Sequence, residues 1–113
     1  MKSISTVMII ISLLLGAASL AIASDAQEHI DSAIRHAEDA EIHGRAGHIS
    51  ALLEHAQESL THARAAYKES SSENNQHWMT SIKHLEEAIN QANQDHADVA
   101  TDQVREALNH MRR

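Results

Sequence analysis

Between Ile30 and Met111 the apolar residues recur three and four positions apart, in four runs separated by short polar or glycine-bearing breaks. The first run carries Ile30, Ala33, Ile34, Ala37 and Ala40, and the second Ile49, Leu52, Leu53, Ala56, Leu60 and Ala63. The third carries Trp78, Ile82, Leu85, Ala88 and Ile89, and the fourth Ala97, Ala100, Val104, Ala107, Leu108 and Met111. With the heptad restarted in each run, so that Ile30, Ile49, Trp78 and Ala97 are lettered a, these fall at positions a, d and e, a stripe wide enough to bury one face of a bundle helix. The pattern predicts helices over about 24–43, 48–69, 76–91 and 96–112. Ser24, with Gln27 three residues on, reads as a capping box for the first. "GRAG", Gly44 to Gly47, breaks the chain after it, because glycine takes the left-handed conformation that commonly ends a helix. "SSSENN", from Ser70, and "ANQD", from Ala92, are the other two breaks.

The two halves repeat. A shift of 48 residues lays His29 on His77, His36 on His84, His48 on His96 and His62 on His110. It also lays Ile34 on Ile82, Glu38 on Glu86, Glu58 on Glu106, Leu60 on Leu108 and Arg64 on Arg112. Two repeated antiparallel helical hairpins, over about 25–69 and 75–112, predict an all-α, up-down-up-down four-helix bundle. Composition agrees. Beyond the first 23 residues there is no proline or phenylalanine and only one Trp and one Tyr, whereas Ala, Leu, Glu, Gln and His abound.

Residues 1–23 belong to something else. Lys2, an apolar run from about Val7 to Leu15 and the Ala21-Ile22-Ala23 site together describe a cleaved secretory signal peptide. The mature domain would then be residues 24–113, placed in the periplasm and free of the membrane. The full chain has 9 Lys and Arg against 16 Asp and Glu, a net charge of −7 with neutral His. That balance excludes nucleic acid and anionic lipid as partners, since both require basic patches. It suits cations. With no cysteine there is neither a disulfide nor a thiolate ligand.

The ten histidines carry the chemistry. All fall at heptad position g. A lone histidine beside an apolar stripe is ordinarily a boundary residue with one hydrogen bond, but ten at one register position need another explanation. Seven residues rise about 10.5 Å along a helix, too far for two imidazoles to share an ion at metal–nitrogen bonds of about 2.0–2.1 Å. An antiparallel partner changes this, because g then faces g across the seam. The five-residue step from His43 to His48 is the turn, and it pairs His43 with His48, His36 with His55 and His29 with His62. Asp39 lies within four residues of His36 and His43, and Glu58 stands in the same relation to His55 and His62. His36, His55, Asp39 and Glu58 thus form a candidate four-ligand set for a divalent transition metal. In the second hairpin His77 pairs with His110, but His84 meets Gln103 and His96 meets Gln91, with Glu87 and Glu106 as the accompanying carboxylates. Fewer or weaker sites are expected there. Glu28, Glu41 and Glu54 read as a solvated face, and Met79 and Met111 as packing residues.

"HAEDAEIHGRAGHISALLEHAQESLTHARAA" together with "IKHLEEAI" resembles the small metal-binding protein family, histidine-rich periplasmic proteins of bacteria, over roughly residues 27–112. The resemblance implies a four-helix bundle that binds several divalent ions, copper among them, and it implicates all ten histidines. The chain departs from the family pattern at Gln91 and Gln103.

The expected function is sequestration or buffering of divalent transition metals by a monomer. Cu(II) comes first, and Zn(II) and Ni(II) are further candidates on ligand type and the Irving–Williams order. The alternative is an acidic helical interaction protein or chaperone whose histidines sense pH. No catalytic residue is expected. There is no nucleophile or phosphate-cradling loop, and the order is His-x-x-Glu over an apolar core, where di-metal carboxylate enzymes place Glu-x-x-His inside the bundle.

Overall fold

The computed structural model describes residues 25–113, so the leader assigned to 1–23 and the Ser24 cap lie outside it. Four helices follow one another: α1 over 25–45, α2 over Ile49–Glu69, α3 over Asn75–Asn93 and α4 over Ala97–Met111. They form an all-α four-helix bundle. Helix α2 lies beside α3, and α3 beside α4, with α2 and α4 on a diagonal. Arg105 on α4 and Arg112, which caps it, reach Glu41 and Glu38 on α1, which closes the square. No helix among the described residues is long and apolar enough to cross a membrane.

Small residues set how closely the helices approach. Ala33, Ala37, Ala40, Ala56, Ala63, Ala88, Ala100 and Ala107 are all fully buried, with Leu52, Leu85, Leu108 and Val104 filling the space between them. Two buried serines at heptad d, which the apolar stripe left out, clamp the hairpins. Ser59 Oγ donates to the Ala33 carbonyl at 2.7 Å across α1–α2, and Ser81 Oγ shares its proton between the His77 carbonyl of its own helix at 2.8 Å and the Ala107 carbonyl at 3.2 Å across α3–α4. Under the 48-residue shift Ser81 stands where Ala33 does and Ala107 where Ser59 does. A serine thus bridges each hairpin at the same repeat position, with the donor on opposite helices and the second contact the longer of the two. A hydroxyl one bond from Cβ reaches a facing carbonyl only if the two backbones lie close, and that closeness brings the flanking g positions together.

The hairpins themselves are related the same way. Arg64 pairs with Glu86 from α2 to α3, and its repeat equivalent Arg112 pairs with Glu38 from the C-cap of α4 to α1. Such exposed pairs contribute little stability, but they fix one hairpin's register on the other. Glu41 is not part of a solvated face: it is largely covered and holds both Arg45 and Arg105. Met111 is buried as its a position requires, whereas Met79, at b, is exposed.

The turns show why the histidine count slips from seven to five. The His48 amide donates to the His43 carbonyl at 2.9 Å and the Gly47 amide to the Gly44 carbonyl at 3.0 Å. This six-to-one and five-to-two pattern is a Schellman cap with Gly47, at φ 77°, as the left-handed residue. The second hairpin repeats it, with His96 donating to Gln91 and Asp95 to Ala92, both at 3.0 Å. There the left-handed place is held by Asp95, at φ 63°. Gly44 does not end the helix, contrary to the reading of "GRAG" as a break; it lies inside α1 and is buried. Likewise Ala92 and Asn93 are still helical, and the second turn is confined to residues 94–96.

The caps differ in cost. A Cβ on Gly47 would touch nothing within 4 Å, so Gly47→Ala is expected to lose about 1 kcal/mol through backbone conformation alone. Asp95→Gly relieves the same strain and is expected to gain about 0.5–1 kcal/mol. Urea unfolding of the metal-free protein checks both; equal midpoints for the two variants would show that neither positive φ costs anything.

Candidate metal centre

Six imidazoles of the first hairpin meet along the α1–α2 seam. His29 Nδ1 lies 3.1 Å from His62 Nδ1, and His43 Nδ1 lies 3.5 Å from His48 Nδ1. His36 and His55 stack with ring centroids 5.8 Å apart. These are the three pairs the repeat spacing predicts, but they are not isolated layers. His36 also stacks on His62 at 5.8 Å, and His43 on His55 at 5.4 Å, each nearly parallel. The six rings form one zigzag column, in the order His29, His62, His36, His55, His43, His48. Rings on one helix are about 10.5 Å apart, and each gap is filled by a ring from the other helix. The His43–His48 pair is fixed independently of the seam, since these are the first and last residues of the Schellman cap. Their side chains meet where that motif usually makes an apolar contact.

The nitrogen spacings suit a small divalent cation. Bonds of about 2.0–2.1 Å put two ligand nitrogens about 2.9 Å apart at a right angle and about 3.3 Å apart at the tetrahedral angle. The His29–His62 distance falls inside that range and the His43–His48 distance lies just above it. In the centre of the column, donor atoms of His36, Asp39 and His55 all lie within 4.8 Å of one another. A modest rotation of half-buried side chains closes such a group onto an ion. His36 Nδ1 and His55 Nδ1 are buried and have no hydrogen-bond partner. Such orphaned polar atoms cost about 1–3 kcal/mol each, and a bound cation removes that cost. Glu58 is placed differently from Asp39, with Oε2 3.1 Å from His36 Nε2.

The second hairpin uses its rings otherwise. His84 Nδ1 donates to Gln103 Oε1 at 2.8 Å, and His96 Nδ1 donates to Gln91 Oε1 at 2.8 Å. Gln91 Nε2 in turn donates to Glu87 Oε1 at 2.8 Å. Glutamine thus satisfies the nitrogens that the first hairpin leaves to one another, and Glu87, the repeat equivalent of Asp39, is engaged with an amide. His110 stacks on His84 at 5.6 Å, the counterpart of His62 on His36. His77 and His110 line a common groove with Arg113. Glu106 is exposed.

The sequence model described as "small metal-binding protein" matches residues 1–113, the whole chain. The chain belongs to the small metal-binding protein family. No curated protein matches it as a relative. The family assignment and the His36–Asp39–His55 group agree: the residues most suited to a metal ion lie in the hairpin that keeps all six histidines.

In this family member electrostatics shifts one ring in each hairpin. Burial, then the neighbouring charges of His29 and His36, lowers the pKa of His62 against the opposing pull of Glu58 and Glu28. Burial, then Arg113 and His84, lowers that of His110 despite Glu106. A lowered pKa leaves the ring neutral, with a lone pair available for a metal, to more acidic pH. For His110 the neighbouring Arg113 guanidinium also repels a cation.

Sequence reasoning missed Gly44, Ser59 and Ser81, the residues that bring the helices close. The signal was available: in the heptad frame all three fall at a or d, where a glycine or serine marks close approach. The stacking across pairs had no such signal.

Proposed function

We propose that the protein sequesters or buffers divalent transition metals in the periplasm, with Cu(II) preferred over Zn(II) and Ni(II). The observation that carries this reading is the pair of buried, unpartnered nitrogens on His36 and His55 beside the Asp39 carboxylate. Two imidazoles and a carboxylate suit borderline divalent ions, and among these the Irving–Williams order puts copper first. The protein acts as a monomer and binds rather than transforms its cargo. Loading resolves the column into its three pairs, because each interior ring can serve only one ion through one nitrogen.

Calorimetric titration tests this. More than one Cu(II) per chain is expected at neutral pH, with affinity falling below about pH 6 as the imidazoles protonate. Fewer than one Cu(II) per chain at neutral pH would reject the reading.

A further inference from the structure

We infer that Glu58 is a positioning residue for the His36–Asp39–His55 group rather than one of its ligands. It holds the His36 proton on Nε2, so that Nδ1 is the atom offered to a divalent cation. The inference rests on the metal-binding reading above and goes beyond it to the donor atom.

Four observations carry it. His36 Nε2 lies 3.1 Å from Glu58 Oε2. A carboxylate can only accept a hydrogen bond, so this contact favours the tautomer with the proton on Nε2 and a bare lone pair on Nδ1. That Nδ1 is buried and without a partner, as a lone pair waiting for a cation would be. Asp39 and His55 complete a donor group with His36 to which Glu58 contributes no atom. Glu58 also approaches from the solvent side, its side chain 44% exposed against 20% for His36. It therefore meets the outer edge of the ring while the inner edge turns toward the seam.

The second hairpin supplies the contrast. At the equivalent ring, His84, the proton sits on Nδ1, because that nitrogen donates to Gln103 Oε1. The same register position thus offers Nδ1 in one hairpin and Nε2 in the other. A carboxylate on the remote N–H fixes ring orientation and raises the basicity of the coordinating nitrogen, as partners of metal-bound histidines generally do. Glutamine on the inner nitrogen fixes the other tautomer, leaving the outer nitrogen as the free one.

Long-range proton–nitrogen NMR of the full bundle, titrated with Zn(II) as a diamagnetic probe, tests this. His36 is expected to bind Zn(II) through Nδ1 while keeping its proton on Nε2. Glu58→Ala is expected to weaken the first Zn(II) by about 10–100-fold without changing the number of ions bound. Glu58→Gln, which keeps an acceptor oxygen, should recover part of that loss, and Glu54→Ala, an exposed carboxylate on the same helix, should change nothing. Zn(II) on His36 Nε2, or one fewer ion in Glu58→Ala, would overturn the role of Glu58 alone. A protein that takes up no Zn(II) at any histidine would overturn the metal-binding reading itself.

Discussion

Replacing both His36 and His55 with alanine is expected to weaken binding of the first metal ion by more than about a hundredfold, beyond what loss of an outer-shell partner causes. The pair supplies two of the three donors in the central group, and a lone carboxylate on a helix surface does not hold a transition metal tightly. The substitution also cuts the column in its middle. His36 stacks on His62, and His55 on His43, so only the His29–His62 and His43–His48 pairs remain, and the number of ions should drop by one. Alanine is the best helix former and both rings lie at the edge of the core, so helicity by circular dichroism should stay unchanged. His84→Ala is the comparison. Its inner nitrogen is already engaged by Gln103, and its loss should affect first-ion affinity little. Equal losses for the two proteins in competition titrations would place the tight site outside the first hairpin.

Gly44→Val should lower stability by about 3 kcal/mol, at the upper end for overpacking a well-filled core. A Cβ at this position would lie 2.2 Å from Thr101 Oγ1 and 2.6 Å from Leu52 Cδ1. Neither neighbour has room to move: Leu52 is fully buried and Thr101 nearly so, and the Thr101 hydroxyl is committed to the Ala97 carbonyl at 2.7 Å. The gain of about 0.3–0.5 kcal/mol from replacing a helical glycine with valine is smaller than the clash, and valine adds two methyl groups beyond the offending Cβ. For a bundle of this size the loss corresponds to a fall in melting temperature of roughly 12–24 °C. Thermal unfolding in the presence of a chelator measures it. A variant as stable as the parent would mean that α1 can withdraw from α4 freely, which the buried contacts deny. Because Gly44 adjoins His43, the same displacement should loosen the His43–His48 pair.

The carboxylates show how unevenly the site could be read. Asp39 and Glu58 occupy the same relation to the histidine repeat, and sequence spacing gives no reason to separate them. In the bundle Asp39 joins the donors of His36 and His55, while Glu58 meets His36 on its other nitrogen. Which nitrogen of a ring faces inward depends on side-chain torsions and on the facing helix, and neither is a local property of the chain. Glu41 makes the same point for the surface: its spacing suggested solvent, and α4 arrives with Arg105 to cover it.

By itself the sequence determined the four helices, the 48-residue repeat, the pairing of histidines across the first hairpin and the pairing of His84 and His96 with Gln103 and Gln91 across the second. All of these follow from helical periodicity, which is local, and from the reversal of direction at a five-residue step. Tertiary structure alone decided that the pairs merge into one column, that Gly44 is a packing position rather than a helix end, and that Gly47 and Asp95 carry the left-handed turns. It also decided which imidazole nitrogens stay bare. Periodicity fixes the face a side chain occupies. How close the facing backbone comes, and what it leaves unpartnered there, is set only when the small residues of both helices are packed together.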